Sequence, residues 1–189
     1  MVAVIKTGSS ISKALNYNEN KVKEGKAECI STGNYPIKTE DLSFNQKLKR
    51  LSKQAALNEN ATCNSIHISL NFDPSEKLSQ ELLKEISDQY MEKIGFGEQP
   101  YLVYRHHDAG HPHVHIVTTN IKADGRRIEL HNLGRNQSEK ARKEIEQLYN
   151  LVKAEESKQK QVYGLKPVNV QKVQYGRTET KRAITTVLD

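Results

Sequence analysis

Five of the seven histidines in this chain fall within ten residues, from His106 to His115. His113 and His115 are two positions apart in a β-rich stretch, so in a strand both side chains leave one face while Val114 enters the core. His106 ends the preceding β-rich stretch, and a hairpin can bring it opposite that pair. Three neutral imidazoles can hold a divalent ion and leave positions open for substrate. The spacing predicts a catalytic metal site at His106, His113 and His115.

Two other interpretations of this cluster remain open at the sequence level. The first is a polar turn that carries incidental histidines, which the strand spacing around a core valine disfavours. The second is a purely structural zinc site. Structural sites usually close four protein ligands, often with thiolates, and neither Cys29 nor Cys63 is near in sequence.

Several neighbouring residues are accessory candidates for the same site. Asp108 could orient an imidazole, or it could simply begin the turn, as aspartate often does. His111 lies in the same turn, and the same two interpretations apply to it. His67 shares the polar face of its strand with Ser69 and Asn71, so it is either a lining residue or an ordinary surface histidine. Asn120 completes the accessory candidates.

The elements that must position these residues show a mixture of strand and helix periodicity. Apolar spacing predicts a first helix that is capped by Ser9 or Ser10 and ends at Tyr17. Three more helices are predicted at about residues 40–57, at 82–94 before Gly95, and from a capping box at Asn136 and Glu139 through residue 152. The predicted strands are residues 1–6, 66–72, 101–107 and 113–121, the last two forming a hairpin with both strands central.

This pattern predicts an α+β fold with a central antiparallel β-sheet, helices on one face and the histidine site on the other. We expect residues 1–152 to form one core and residues 153–189 to form a basic C-terminal extension. This extension is a candidate for the beginning of a further region that is truncated here. The net charge is +6, and residues 151–189 hold eight Lys/Arg against four Asp/Glu. That excess suits a polyanionic partner without proving one.

The composition and the apolar pattern of the sequence predict that this is not a membrane protein. No run approaches the roughly 18 apolar residues of a membrane span. The first ten residues contain one lysine and small polar residues rather than a cleavable apolar stretch. We therefore expect a cytoplasmic protein with no membrane insertion.

The cluster His-x-Asp-x-x-His-Pro-His-x-His at residues 106–115 resembles the third motif of conjugative and mobilisation relaxases, in the histidine-hydrophobe-histidine endonuclease superfamily. Nearly the full chain is similar to the relaxase/mobilisation nuclease domain found on mobilisable elements of Bacteroides-type bacteria. The similarity includes residues 10–21, 67–72 and 131–138. The resemblance implies that residues 1–152 are the nuclease core, with the palm-like sheet of that superfamily.

The resemblance also implies a mechanism. Tyr17 would be the nucleophile, His106, His113 and His115 the metal ligands, and Asp108 a further member of the catalytic motif. The enzyme would nick one strand at a transfer origin, form a 5′-phosphotyrosine adduct, and rejoin the strand during plasmid or transposon mobilisation. We expect single-stranded DNA as substrate, with accessory mobilisation proteins and a coupling protein as partners. Mg²⁺ or Mn²⁺ is the expected ion in use, with Zn²⁺ or Ni²⁺ as alternatives.

Three alternatives to this function stay open. In a rolling-circle replication initiator the histidine motif precedes a tyrosine on a helix, an order that Tyr149 and Lys153 match. Tyr149 shares its predicted stripe with apolar residues, which favours a packed role. The others are a metal hydrolase that activates water and a non-catalytic DNA-binding accessory protein. A covalent protein–DNA adduct distinguishes the relaxase from the hydrolase and from the accessory protein, and the tyrosine that carries the adduct distinguishes it from the replication initiator.

Overall fold

The structure is a computed structural model that describes residues 1–156, and Met1–Ala154 form one compact unit. The predicted basic extension lies outside the described residues from residue 157 onward. Among the described residues, no helix has the length and apolar character needed to cross a membrane. The strands are β1 (Val2–Gly8), β2 (Ala27–Gly33), β3 (Ser65–Asn71), β4 (Tyr101–His106) and β5 (His113–Thr119). The helices are α1 (Ile11–Lys23), α2 (Phe44–Ala55), α3 (Gln80–Lys93) and α4 (Gln137–Leu148), with a 3₁₀ turn at Thr39–Asp41.

Across residues 1–156 the five strands form one antiparallel sheet in the order β1-β3-β5-β4-β2. The predicted β4–β5 hairpin is confirmed, and β5 is the central strand. In the register of this hairpin, His106 lies directly opposite His113. On the other side of β5, Ser69 of β3 lies opposite His115. The middle of the sheet therefore carries the histidines.

Each face of the sheet packs against a different pair of helices. The larger core lies under α3 and α4 and includes Ile66, Ile68, Leu70, Val103, Val114, Ile116, Ile86 and Ile145. A smaller core lies under α1 and α2 and consists of Ile11, Leu15, Leu51, Ala55, Leu102, Tyr104 and Val117. The predicted α+β fold with a central antiparallel sheet is confirmed. The helices are not confined to one face as predicted, because α1 and α2 pack above β4 and β5 and cover part of the histidine face.

Local sequence explains where several helices begin and end. Ser10 caps α1, because its side chain accepts a hydrogen bond from the Lys13 backbone N–H. Ser43 and Gln46 form a reciprocal capping box at the start of α2. Gly95 ends α3 with a φ of +81°, a left-handed conformation that glycine adopts without strain.

Some local predictions were wrong. The first helix does not end at Tyr17 but continues to Lys23, so Tyr17 lies in its middle. The edge strand β2 was not predicted, because its sequence Ala-Glu-Cys-Ile-Ser-Thr-Gly has little apolar alternation. Asn136 precedes α4 without a side-chain capping bond. The predicted fourth helix does not continue through residue 152 but ends at Leu148, which is 60% exposed because α4 buries Ala141 and Ile145 on another side.

The two leucines Leu15 and Leu148 give a matched test of this packing. Leu15 lies on the fully buried side of α1, whereas Leu148 is 60% exposed at the end of α4. Leu15→Ala should lower the free energy of unfolding by about 2–5 kcal/mol, through lost burial and the cavity left behind. Leu148→Ala should change it by less than about 0.5 kcal/mol. Urea denaturation measures both, and equal losses would contradict the described position of α1.

Candidate active site

Three imidazoles meet on the face of the sheet that α1 and α2 partly cover. His106 comes from β4, and His113 and His115 come from β5, where strand alternation puts both on the same face. The ring centroid of His106 lies 4.2 Å from that of His115 and 5.3 Å from that of His113. The three residues that the sequence predicted as one cluster therefore do come together.

Asp108 extends this cluster from the β4–β5 loop. Ligand atoms of His106, Asp108 and His113 all lie within 4.8 Å of one another. Asp108 Oδ1 is 3.7 Å from His106 Nδ1 and 3.6 Å from His113 Nε2. Its other oxygen, Oδ2, is 2.8 Å from Lys21 Nζ on α1. The carboxylate is thus held with one oxygen on the lysine and the other facing the imidazoles.

Several buried ring nitrogens on this face have no hydrogen-bond partner among the described residues. They are His67 Nε2, His106 Nδ1 and His115 Nδ1. A buried nitrogen without a partner costs free energy, and a cation bound to its lone pair removes that cost. The group that the structure brings within ligand distance is His106, Asp108 and His113, and these nitrogen and oxygen donors fit a divalent metal ion. His115, the third predicted ligand, lies beside this group, with its ring centroid 4.2 Å from that of His106.

The electrostatics keep these imidazoles neutral. Burial, reinforced by the neighbouring His113, lowers the pKa of His106 to about 4. Burial, reinforced by the neighbouring His106, lowers the pKa of His115 to about 3. Burial also lowers the pKa of His67. The hydrogen bond from Lys21 lowers the pKa of Asp108, so its carboxylate is charged. Neutral imidazole and charged carboxylate are the forms that bind metal.

Tyr17 lies above the histidines from the middle of α1. Its ring stacks at 6.1 Å from the His106 ring and 5.9 Å from the His115 ring, between centroids. The His67 ring meets it edge-on at 6.0 Å. The side chain is 47% exposed, because α1 packs through Leu15 on another side. The tyrosine is therefore open to a substrate and adjacent to the cluster.

A groove of 480 Å³ runs beside Tyr17 over the uncovered part of the same face, and it is lined by Val4, Lys6, Tyr17, His67, Ser69, Asn71 and His115. The register explains this lining, since Val4 pairs with Ser69, which pairs with His115. Val2 and Val4 are each 41% exposed on the edge strand β1. The groove thus combines apolar surface, one lysine and the edge of the histidine cluster.

The remaining predicted residues differ in their relation to the cluster. His111 lies next to it, with its ring centroid 5.2 Å from that of His113 and its Nε2 3.3 Å from Asn71 Oδ1. His67 lies next to it on β3, 4.8 Å from His115 between ring centroids. Asn120 follows the far end of β5, about 16 Å along the strand from His115 at 3.3 Å per residue. The structure does not bring Asn120 into the cluster.

Two residues on α1 were missed by the sequence reasoning. Asn18 is fully buried, and its Oδ1 lies 2.8 Å from His106 Nε2. Lys21 holds Asp108. The available signal was helical spacing, because a helix continued beyond Tyr17 puts Lys21 one turn further on the same side. Ending the helix at Tyr17 removed that signal.

The sheet carries a histidine and aspartate group that could hold a metal ion, with an exposed tyrosine beside it, so the site combines a candidate metal centre with a candidate nucleophile. The family model described as relaxase, MobA/VirD2-like, nuclease domain matches residues 17–151. The chain belongs to this relaxase family, and the predicted relaxase nuclease class is confirmed.

A solved structure described as "Molecular Basis of Vancomycin Resistance Transfer in Staphylococcus aureus" is similar to this chain at 11% identity and a TM-score of 0.47. The similarity covers 78% of this chain and 90% of that chain. The comparison with curated proteins gave no match.

The neutral imidazoles predict a pH-dependent stability of the metal-free protein. In the unfolded chain a histidine has a pKa of about 6.5, whereas in the fold the pKa is about 4 for His106 and about 3 for His115. Between these values the unfolded chain binds more protons, so the free energy of unfolding should fall as pH drops below about 6.5. The slope is at most about 1.4 kcal/mol per pH unit for each histidine.

Urea unfolding with a chelator, between about pH 7 and about pH 5, measures this slope. His115→Gln should flatten it, since one partly buried imidazole with a lowered pKa is removed. His107→Gln is the matched control, because His107 is exposed in the same hairpin. The interpretation fails if His115→Gln and His107→Gln keep the same slope.

Proposed function

We propose that this protein nicks one DNA strand at an origin of transfer by transesterification and later rejoins it during plasmid or transposon mobilisation. The observation that carries the proposal is the position of Tyr17, whose exposed ring stacks over His106 and His115. Membership of the relaxase family supports DNA as the substrate and a nuclease role.

In the proposed reaction, Tyr17 Oη attacks the scissile phosphorus. The O–P bond to tyrosine forms as the P–O3′ bond breaks, which leaves a 5′-phosphotyrosine and a free 3′-hydroxyl. A phenol is a weak nucleophile at neutral pH and must lose its proton to a nearby base. His67, which is not a proposed ligand and whose Nε2 has no hydrogen-bond partner among the described residues, can accept that proton, and the leaving 3′-oxygen takes one up. One phosphodiester replaces another, so the 3′-hydroxyl can attack back and reseal the strand.

We assign the divalent ion to His106, His113 and His115, with Asp108 beside them. When bound, such an ion neutralises the charge that develops on the non-bridging phosphate oxygens. The role of Asp108 is to face the imidazoles while Lys21 holds its other oxygen. Mg²⁺ or Mn²⁺ is proposed as the ion in use, with Zn²⁺ or Ni²⁺ as alternatives.

The groove beside Tyr17 is the proposed path of single-stranded DNA. Val2 and Val4 offer exposed apolar surface for unstacked bases, and Lys6 offers a cation for phosphate. In this proposal residues 1–152 are the nuclease core, and the basic residues of the extension 153–189 add phosphate contacts. Accessory mobilisation proteins and a coupling protein remain predicted partners, and the cytoplasm remains the predicted compartment.

No observation favours the replication-initiator alternative, which requires Tyr149 as nucleophile. Tyr149 packs against the larger core, on the opposite face of the sheet from the histidines. Its hydroxyl donates a hydrogen bond to Glu85 at 2.9 Å. Burial and the neighbouring Glu85 raise the pKa of Tyr149 to about 12, which makes it a poorer nucleophile.

The test is the loss of a covalent adduct on removal of one oxygen. Tyr17→Phe should abolish the denaturation-resistant complex with labelled single-stranded origin DNA in Mn²⁺, while Mn²⁺ and DNA binding persist because the ring remains. Tyr149→Phe is the matched control and should form the adduct as the wild type does. Adduct formation by Tyr17→Phe and its loss in Tyr149→Phe would move the protein to the replication-initiator class. Strand cleavage without any adduct would favour the water-activating hydrolase.

Removal of a metal ligand should act on ion binding itself. His115→Ala and His113→Ala should each weaken Mn²⁺ binding, by more than the roughly 10–100-fold that loss of an outer partner costs. Calorimetric titration with Mn²⁺ measures this. His107→Ala is the control, since His107 is exposed in the same hairpin, and it should bind like the wild type. Unchanged affinity in the His113 and His115 variants would reject the ligand assignment.

A further inference from the structure

Asn18 is a fully buried amide on α1, next to Tyr17 in sequence. Its Nδ2 donates a hydrogen bond of 2.8 Å to the Ala14 carbonyl oxygen in the preceding turn. Its Oδ1 lies 2.8 Å from Nε2 of His106. The amide therefore bridges the helix that carries the tyrosine and a member of the histidine cluster.

These two contacts fix the direction of the second one. A carbonyl oxygen only accepts, so the amide nitrogen of Asn18 must face Ala14, which leaves its oxygen for His106. That oxygen also only accepts, so Nε2 of His106 must carry the hydrogen. A neutral imidazole has one N–H and one lone pair. The lone pair of His106 is therefore on Nδ1, the buried nitrogen that faces Asp108 and has no hydrogen-bond partner within residues 1–156.

We propose that Asn18 is a positioning residue, which holds His106 in the tautomer with Nε2 protonated and so keeps Nδ1 free for the metal ion. Asp108 opposes this choice, because its Oδ1, 3.7 Å from Nδ1, would draw the proton to that nitrogen. The shorter contact to Asn18 prevails in the folded protein. Without it, the proton moves to Nδ1 and blocks the lone pair.

His113 shows the same arrangement with a backbone group. Its Nδ1 lies 3.2 Å from the His111 carbonyl oxygen, so Nδ1 donates and Nε2 keeps the lone pair. Nε2 is the atom that lies 3.6 Å from Asp108 Oδ1. Both imidazoles thus direct an N–H away from the shared centre and a lone pair towards it, as metal-binding histidines commonly do. Of these two imidazoles, His106 has its tautomer set by a side chain and His113 by a backbone carbonyl. A substitution can therefore remove the contact at His106.

The inference rests on the proposed function only for the role of the ion, and the tautomer can be measured without DNA. Long-range ¹H–¹⁵N correlation spectra of the metal-free, ¹⁵N-histidine-labelled protein report which ring nitrogen carries the hydrogen. We expect Nε2 of His106 to be protonated in the wild type. In Asn18→Leu, which keeps the branched heavy-atom shape but removes both hydrogen bonds, we expect the Nδ1-protonated form. Asn18→Asp keeps an acceptor and should keep the wild-type tautomer.

Calorimetric titration with Mn²⁺ gives the second readout. Asn18→Leu should bind Mn²⁺ about 10–100-fold more weakly, the range for loss of an outer partner, and Asn18→Asp should recover most of the affinity. Asn16→Leu, the same change at an exposed position on α1, should leave tautomer and affinity unchanged. Circular dichroism checks that each variant is folded, and if Asn18→Leu is not, the wild-type and Asn18→Asp spectra decide.

The proposal is overturned if wild-type His106 carries its hydrogen on Nδ1, if Asn18→Leu keeps the Nε2 form, or if Asn18→Leu binds Mn²⁺ as tightly as the wild type. None of these readouts involves strand cleavage. A protein that fails to nick DNA but shows the expected spectra and affinities would refute the proposed function and leave the role of Asn18 intact.

Discussion

The register between β4 and β5 is the constraint on which the rest of the site depends. It sets His106 directly opposite His113, and alternation along β5 then brings His115 to the same face. A slip of one residue would turn these side chains into the larger core and expose the valines and isoleucines of that core. Val103 and Val114 are fully buried there, so the apolar face fixes the position of the polar one.

The second constraint is the helix α1, because three of its residues contact the cluster. Tyr17 covers the imidazole rings, Asn18 bonds to His106, and Lys21 bonds to Asp108. Leu15 anchors the same helix in the smaller core. A displacement of α1 would therefore move the proposed nucleophile and disturb the proposed ligands together. The packing of α1 therefore positions Tyr17 and supports the proposed ligands at the same time.

The sequence predicted the part of the site that depends on strand periodicity. The spacing of His106, His113 and His115 correctly predicted that they lie on one face of a hairpin. The apolar alternation of residues 66–72 correctly predicted β3. Strand periodicity gives no information on the polar second half of α1, which the sequence reasoning left out of the helix. Asn18 and Lys21 are stabilised there by His106 and Asp108, which are far away in sequence and become partners only in the fold.

The edge strand β2 was missed for a related reason. Buried and half-buried side chains do not alternate along β2, so its sequence lacks the apolar alternation that marks β3. Its identity as a strand depends on pairing with β4, which supplies the backbone partners. Local pattern identifies elements that bury one clear face, and it fails for elements that tertiary partners define.

Peptide mapping of the protein after reaction with single-stranded origin DNA tests the central claim most directly. Trypsin releases residues 14–21 as a peptide whose only tyrosine is Tyr17. The account predicts that mass spectrometry finds the 5′-phosphate of the cleaved strand on this peptide, and on Tyr17 within it. Nucleotide attached to Tyr149 or to any other side chain, or cleaved DNA with no modified peptide, would contradict the account.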